Sequence, residues 1–227
     1  KWKKLSLSNY NLIKKLTKDE IYHCYKDKDG VKVFLDDYAY LAQLMINFYE
    51  TTGEINYLDD AKKIVQQTWD LFYDKENKIL QKNPIKQNDL FVPPLDINDS
   101  NIPNGNSVFL LNCKKLEAIT NDTKWQGMTK ELIQSFHSFL NLKSTQMVSY
   151  IKNLDMCEEL TTFTFFGDIK KIKELQQFVK KNYLKSSTLI YKEDPKENYL
   201  VVCKNQTCSN KIKNIDELKS VVKNYAI

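Results

Sequence analysis

Apolar residues recur at helical spacing in four segments of the first two thirds of the chain. Within each segment they fall three or four residues apart, which is typical of amphipathic helices. The segments are 34–53, 56–73, 108–120 and 125–140. Short loops separate the first from the second and the third from the fourth, so the pattern predicts two antiparallel helical hairpins. A shorter helix is predicted over 145–156, and the Lys-rich residues 1–33 are only weakly patterned.

The connection between the two hairpins, 74–98, is long. Ile79-Leu80 and Leu90-Phe91-Val92 predict short strands within it, and Pro93-Pro94 requires extended backbone. Loops of this length inside a compact domain are often functional.

The pattern changes at about residue 160. β-branched and aromatic runs predict strands, and two amphipathic segments predict helices. The strands are 160–166, 188–191 and 199–203, and the helices are 169–183 and 215–225. The chain is therefore predicted to be mainly α, with helical hairpins in a domain over 1–157 and a small α/β unit over 158–227.

A polar turn at 99–107 leads into the third helix. Gly105 is able to adopt a positive φ, and Asn106 and Ser107 are able to bind the free N–H groups of a helix start. The turn would hold polar side chains at the positive end of a helix dipole. Residues 99–107 could form either a helix cap or a ligand site, and this segment taken by itself favours a helix cap.

Each hairpin begins with a polar turn, followed by an apolar helix and then a more amphipathic one. This order favours an α/α toroid, in which the inner helices are parallel and their N-termini share one rim. Asp36, Asp37, Asp99, Asn106 and Ser107 would then gather at one mouth. Paired carboxylates there would supply the acid and the base of glycoside hydrolysis or of sugar proton transfer.

The sequence leaves two interpretations for each of three side chains in or near the first inner helix, which are Tyr38, Tyr40 and His23. Tyr38 and Tyr40 either stack on a sugar or pack in the core; core packing is favoured for Tyr40, whereas Tyr38 is left open. His23 has apolar neighbours, which favours a packed or hydrogen-bonded role over catalysis.

All 34 basic residues are Lys, and the net charge is +5. Arg is the residue that reads phosphate and guanine bidentately, so its absence makes a nucleic-acid partner an unfavoured hypothesis. No apolar run reaches the length of a membrane span. With two His and no HExxH, paired CxxC or nucleophile elbow, the sequence predicts no metal, no cofactor and no Ser-His-Asp triad. Carboxylates would carry any catalysis.

The five cysteines are odd in number and irregularly spaced. This is not typical of a secreted disulfide scaffold, so a cytoplasmic location is predicted. Cys203 and Cys208 follow a predicted strand, and a hairpin with free thiols is favoured there over a disulfide or a metal site.

Three motifs, in order, resemble those of the thioredoxin-domain-containing, spermatogenesis-associated-protein-like family. The motifs of that family are F-L-D-D-Y-A, D-G-A-x-P-S-G-N-S and V-C-x-x-x-x-C. Here they read Phe34-Leu35-Asp36-Asp37-Tyr38-Ala39, then Asp99 with Pro103-Asn104-Gly105-Asn106-Ser107, then Val202-Cys203-Lys204-Asn205-Gln206-Thr207-Cys208. Ser100, Asn101 and Asn104 replace the family's Gly, Ala and Ser.

The resemblance implies a thioredoxin-like domain followed by a six-hairpin, glycosidase-like α/α barrel, similar to those of sugar epimerases and unsaturated-uronide hydrolases. The chain resembles only the C-terminal part, so we expect the thioredoxin-like domain and part of the ring to be absent from it. Apolar flanks would then be exposed unless further chain covers them.

The resulting hypothesis is a carbohydrate site. Asp37 would be the leading acid or base, with Asp99 as its partner and Asp36 beside it; the substrate would be bound by Tyr38, Asn104, Asn106 and Ser107. The alternative is a non-catalytic scaffold that packs against the thioredoxin-like domain or another protein, with the polar turns acting as caps.

Overall fold

The computed structural model describes residues 2–17, 21–24, 33–86, 97–183, 187–205 and 207–224. The helices are α1 (Trp2–Thr17), α2 (Leu35–Thr52), α3 (Ile55–Phe72), α4 (Gly105–Thr120), α5 (Thr123–Lys143), α6 (Val148–Glu158), α7 (Lys173–Asn182) and α8 (Ile215–Asn224). The strands are β1 (Tyr73–Asp74), β2 (Ile79–Leu80), β3 (Thr161–Phe166), β4 (Ser187–Lys192), β5 (Tyr199–Lys204) and β6 (Thr207–Cys208). The prediction of a mainly α chain is confirmed. The predicted strand at 90–92 and Pro93-Pro94 lie outside the described residues.

Helices α2 and α3 form an antiparallel hairpin. Tyr38, early in α2, packs on Phe72 at the end of α3, with ring centroids 5.4 Å apart. Phe48, late in α2, packs on Tyr57 at the start of α3, at 5.1 Å. Gly53 makes the short turn possible because it ends α2 at φ 76°, a left-handed conformation that glycine adopts without strain.

Helix α4 runs parallel to α2. Gly105, in its first turn, packs against Leu35 in the first turn of α2. Further along, Asn112 Nδ2 donates to the Ala39 carbonyl at 2.8 Å. The two helices therefore begin at the same end of the bundle.

Helix α6 is also parallel to α4. The Ser149 N–H donates to Asp99 Oδ2 at 2.7 Å, just before α4 begins. One turn later Asn153 Nδ2 donates to the Ser107 carbonyl at 2.9 Å. Three helices with their N-termini at one end meet one requirement of an α/α toroid. The ring itself stays a prediction, as does the domain boundary near residue 157.

The C-terminal part forms a four-stranded sheet in the order β4-β3-β5-β6. Strand β3 is parallel to β4, with α7 as the crossover, and antiparallel to β5. Helices α7 and α8 bury their apolar faces with the sheet in one cluster, which includes Phe163, Leu175, Val179, Leu189, Leu200 and Leu218. The predicted α/β elements are therefore present.

A buried carboxylate links this sheet to the helices. Glu50, near the end of α2, is 1% exposed. Its carboxylate accepts from Lys115 Nζ of α4 at 3.0 and 2.9 Å. From β4 it accepts from Thr188 Oγ1 at 2.7 Å and from the Leu189 N–H at 3.2 Å. A buried charge is tolerated only when it is paired and hydrogen-bonded, and here a helix and a strand supply the partners, so the contact joins three elements.

The prediction of free thiols at Cys203 and Cys208 is wrong, because the two form a disulfide. They are directly opposite in the β5–β6 register, with Cα atoms 4.1 Å apart. Such a cross-strand pair brings the Cβ atoms close enough to bond. Cys24, Cys113 and Cys157 are free thiols.

Among the described residues, no helix has the length and apolar character that crossing a bilayer requires.

Lys115→Met should lower the free energy of unfolding by about 3–5 kcal/mol, because it leaves the Glu50 carboxylate buried without its cation. Lys62→Met is the matched control, since Lys62 Nζ pairs with Asp59 Oδ1 at 2.9 Å on the surface. Its effect should stay within about 0.5 kcal/mol. Urea denaturation followed by circular dichroism measures both variants. Equally small losses would contradict a buried pair that joins helices and sheet.

Candidate functional site

A groove of about 540 Å³ opens beside the first half of α2. Asp37, Tyr40, Leu41 and Leu44 line it from one face of that helix, at the spacing i, i+3, i+4 and i+7. The polar side chains of the lining, the polar wall, include Asp36, Asp37, Tyr40 and His23, and the apolar side chains of the lining are Ile13, Ile21, Leu41, Leu44 and Ile102. A mainly apolar cleft with a few convergent polar groups is the usual form of a small-molecule site.

Asp37 forms the central contact of the polar wall. Its carboxylate oxygens lie 3.0 and 3.1 Å from His23 Nδ1. The same carboxylate accepts the Phe34 N–H at 2.8 Å, which satisfies a free donor at the start of α2. Asp37 is therefore both a helix cap and the partner of a histidine.

This contact sets the tautomer of His23. A carboxylate only accepts hydrogen bonds, so Nδ1 carries a proton and the neutral ring leaves Nε2 as an acceptor. The His23 ring also packs edge-on against Phe34, with centroids 4.9 Å apart. An oriented imidazole of this kind is able to accept and return a proton.

Asp36 lies where the starts of α2 and α4 meet. A Cβ added to Gly105 would clash with Asp36 Oδ1 and would lie 3.0 Å from Leu35 Cγ. Glycine at 105 therefore allows the close approach that leaves the Asp36 side chain at the groove.

Tyr40 joins the groove to the 99–104 loop. Its hydroxyl donates to the Pro103 carbonyl at 2.8 Å. Burial raises the pKa of Tyr40, and the nearby charges of Asp36 and Asp99 raise that pKa further. The phenol is therefore neutral, and it serves as a hydrogen-bond donor and an aromatic wall.

Asp99 does not line the groove. Its Oδ1 accepts the Asn104 N–H at 3.0 Å, and its Oδ2 accepts the Ser149 N–H at 2.7 Å. The Ser149 hydroxyl also donates to Oδ1. These bonds close the loop and cap α6, and the expected cooperation of Asp99 with Asp37 stays a prediction.

Three other predicted ligands make structural contacts. Asn104 caps α4 by accepting the Asn106 N–H at 2.9 Å. Asn106 is buried and donates from Nδ2 to the Leu80 carbonyl at 2.9 Å. Ser107 Oγ accepts from Asn153 Nδ2 at 2.9 Å. These side chains hold the rim together and do not line the groove, so their role in substrate binding stays a prediction.

Tyr38 lies in the hydrophobic core, and Tyr40 lies on the groove. Two helical positions turn through about 200°, so residues 38 and 40 point to nearly opposite sides of α2. Tyr40 borders the groove and also packs, partly buried, against the core, whereas Tyr38, whose role the sequence left open, packs in the core itself.

Reasoning from the sequence missed His23 as the partner of Asp37. His23 lies 14 residues before Asp37, in a region with little periodicity. No motif joins the two, so the sequence carries no signal for the pair. Across the described ranges, no group of three or more His, Cys, Asp or Glu is placed to hold a metal ion.

Comparison with known proteins adds no assignment, because no protein-family model matches the chain and no curated protein matches it significantly. The resemblance to the thioredoxin-domain-containing family therefore depends on the three motifs.

Gly105→Ala should destabilise the protein by about 1–3 kcal/mol, because the added Cβ overpacks the junction of α2 and α4. Gly127→Ala is the matched control, since nothing lies within 4 Å of a Cβ at that site. Better helix propensity should stabilise that variant by about 0.5–1 kcal/mol. Thermal unfolding measures both. A gain in stability for both variants would contradict the close junction.

Proposed function

We propose that the groove beside α2 binds a carbohydrate, in a barrel segment of a thioredoxin-domain-containing protein. The observation that best supports this is the His23–Asp37 pair in a groove that polar and apolar side chains line together. A sugar offers hydroxyl groups to carboxylate and imidazole acceptors, while its CH faces suit apolar and aromatic side chains. The three sequence motifs that resemble the thioredoxin-domain-containing family support the proposal independently of the structure.

Within this proposal, His23 transfers the proton. Nε2 of His23 accepts a proton from a bound sugar, and Asp37 holds the ring in place and stabilises the imidazolium that forms. Asp36 accepts a hydrogen bond from a substrate hydroxyl and so orients it. Because Asp99 is engaged with Asn104 and Ser149, the arrangement favours sugar proton transfer over hydrolysis by two opposed carboxylates.

The test is a thermal-shift titration with neutral hexoses, N-acetylhexosamines and uronic acids. A ligand present at about one hundred times its Kd stabilises the folded state by about 2.7 kcal/mol, which raises the melting temperature by several degrees. We expect at least one sugar class to produce this shift in the wild type, and His23→Gln to abolish it. His137→Gln is the matched control, since His137 is exposed on α5 and does not line the groove.

Asp37→Asn tests the orienting role. It weakens a cap, so we expect a loss of stability of about 1 kcal/mol in a protein that still folds, together with loss of the sugar-induced shift. His23→Gln leaves that cap intact and therefore separates folding from binding. The absence of a shift with every sugar in the wild type, or an equal shift in His23→Gln, would contradict the proposal.

The second candidate is a non-catalytic scaffold. Val148 and Ile151 lie on one face of α6 and are 62% and 41% exposed, which favours a packing surface. In this alternative the face contacts the thioredoxin-like domain that the resemblance implies. Val148→Asp with Ile151→Asp would then lower the melting temperature of a longer protein that contains such a domain, while the 227-residue chain alone would be little affected. Equal effects in both would argue against the scaffold.

A further inference from the structure

The Cys203–Cys208 disulfide joins β5 to β6, which is the edge strand of the C-terminal sheet. Cys208 is exposed and Cys203 is partly buried. The strand is two residues long, and its pairing with β5 is limited to Cys203–Cys208 and Lys204–Thr207. A thiol in solution therefore has direct access to the bond.

The hairpin is held in place by bonds other than the disulfide. Asn205 takes a left-handed conformation, φ 50°, in the tight turn between the strands. Beyond the disulfide, the Ser209 N–H donates to the Val202 carbonyl at 2.8 Å, and the Val202 N–H donates to Ser209 Oγ at 3.1 Å. Leu200 and Ile212 then exchange two backbone hydrogen bonds of 2.9 Å. None of these hydrogen bonds involves a cysteine sulfur.

The disulfide also adds little restraint to the unfolded chain. The cysteines are separated by 5 positions in sequence, and a short closed loop removes little chain entropy. A bridge that is exposed and that the fold does not need belongs to the labile class of disulfides, whereas structural bridges are protected.

We infer that Cys203–Cys208 is a thiol–disulfide exchange site whose co-reactant is a dithiol, and that it opens and closes in the folded protein. This inference is independent of the carbohydrate proposal. One thiolate of the dithiol attacks Cys208 Sγ, the bond between the two cysteine sulfurs breaks, and Cys203 leaves as a thiolate. The second thiol then attacks the mixed disulfide and releases Cys208. The protein gains two electrons and two protons, and the dithiol becomes a disulfide.

The remaining buried cysteines serve as internal controls. Cys113 is fully buried and Cys157 is nearly so. Burial raises the pKa of Cys157 to about 12 and raises that of Cys113 as well. Neither thiol therefore forms the thiolate that alkylation requires near neutral pH.

In the experiment, the oxidised chain is treated near pH 7 with about 1 mM dithiothreitol, which is a strong dithiol reductant. Iodoacetamide is then added to alkylate the free thiols. Peptide mass spectrometry locates the label. We expect Cys203 and Cys208 to be labelled in the folded protein, while Cys113 and Cys157 stay unlabelled. Oxidised dithiothreitol in excess should restore the bond. The double variant Cys203→Ser, Cys208→Ser should keep the sheet and melt within about 8 °C of the wild type.

Two results would overturn the inference. Labelling of Cys203 and Cys208 only at the urea concentration that also exposes Cys113 would show a structural disulfide that opens on unfolding. Labelling of both before any reductant is added, in protein purified under air, would show that no bond forms there. Neither result would bear on sugar binding, which is measured at the groove at the other end of α2.

Discussion

The buried carboxylate of Glu50 fixes how the parts of this protein meet. It accepts hydrogen bonds from Lys115 on α4 and from Thr188 and Leu189 on β4. A charge removed from water is tolerated only if every partner is present at once. The ends of α2 and α4 must therefore lie side by side against the sheet. Because the two helices are parallel, the same constraint brings their N-termini together at the opposite end.

At the N-terminal end of α2 and α4, the same side chains cap helices and are candidates for ligand binding. Asp37 satisfies the Phe34 N–H at the start of α2 and is hydrogen-bonded to His23 at the groove. Asp99, by contrast, is taken up by its own loop and by α6. The polar side chains at the rim thus mostly cap helices or join neighbouring segments, as a scaffold would require. Of these side chains, the Asp37 carboxylate combines a helix cap with a contact that orients His23. The proposed carbohydrate site depends on this combination.

Local pattern predicted the elements from residue 34 onward well, but it did not predict the full length of α1 and it predicted contacts between distant residues poorly. The end of α2 at Gly53 follows from glycine's access to positive φ. The rotation of α2 was not fixed by its apolar pattern, since both faces carry aromatic residues, and so the pattern left the role of Tyr38 open and did not predict that Tyr40 borders the groove. The pairing of His23 with Asp37 depends on how a weakly patterned segment packs. The spacing of residues along the sequence does not predict such a contact.

The most direct test of the proposed groove is a methyl NMR titration with sugars of the three classes, in protein labelled at Ile and Leu. A sugar that binds should shift the methyl signals of Ile13, Leu41, Leu44 and Ile102, which line the groove. Signals from the sheet core, such as Leu189, should stay unchanged. Shifts confined to other surfaces, or none with any class at millimolar concentration, would contradict a carbohydrate site beside α2.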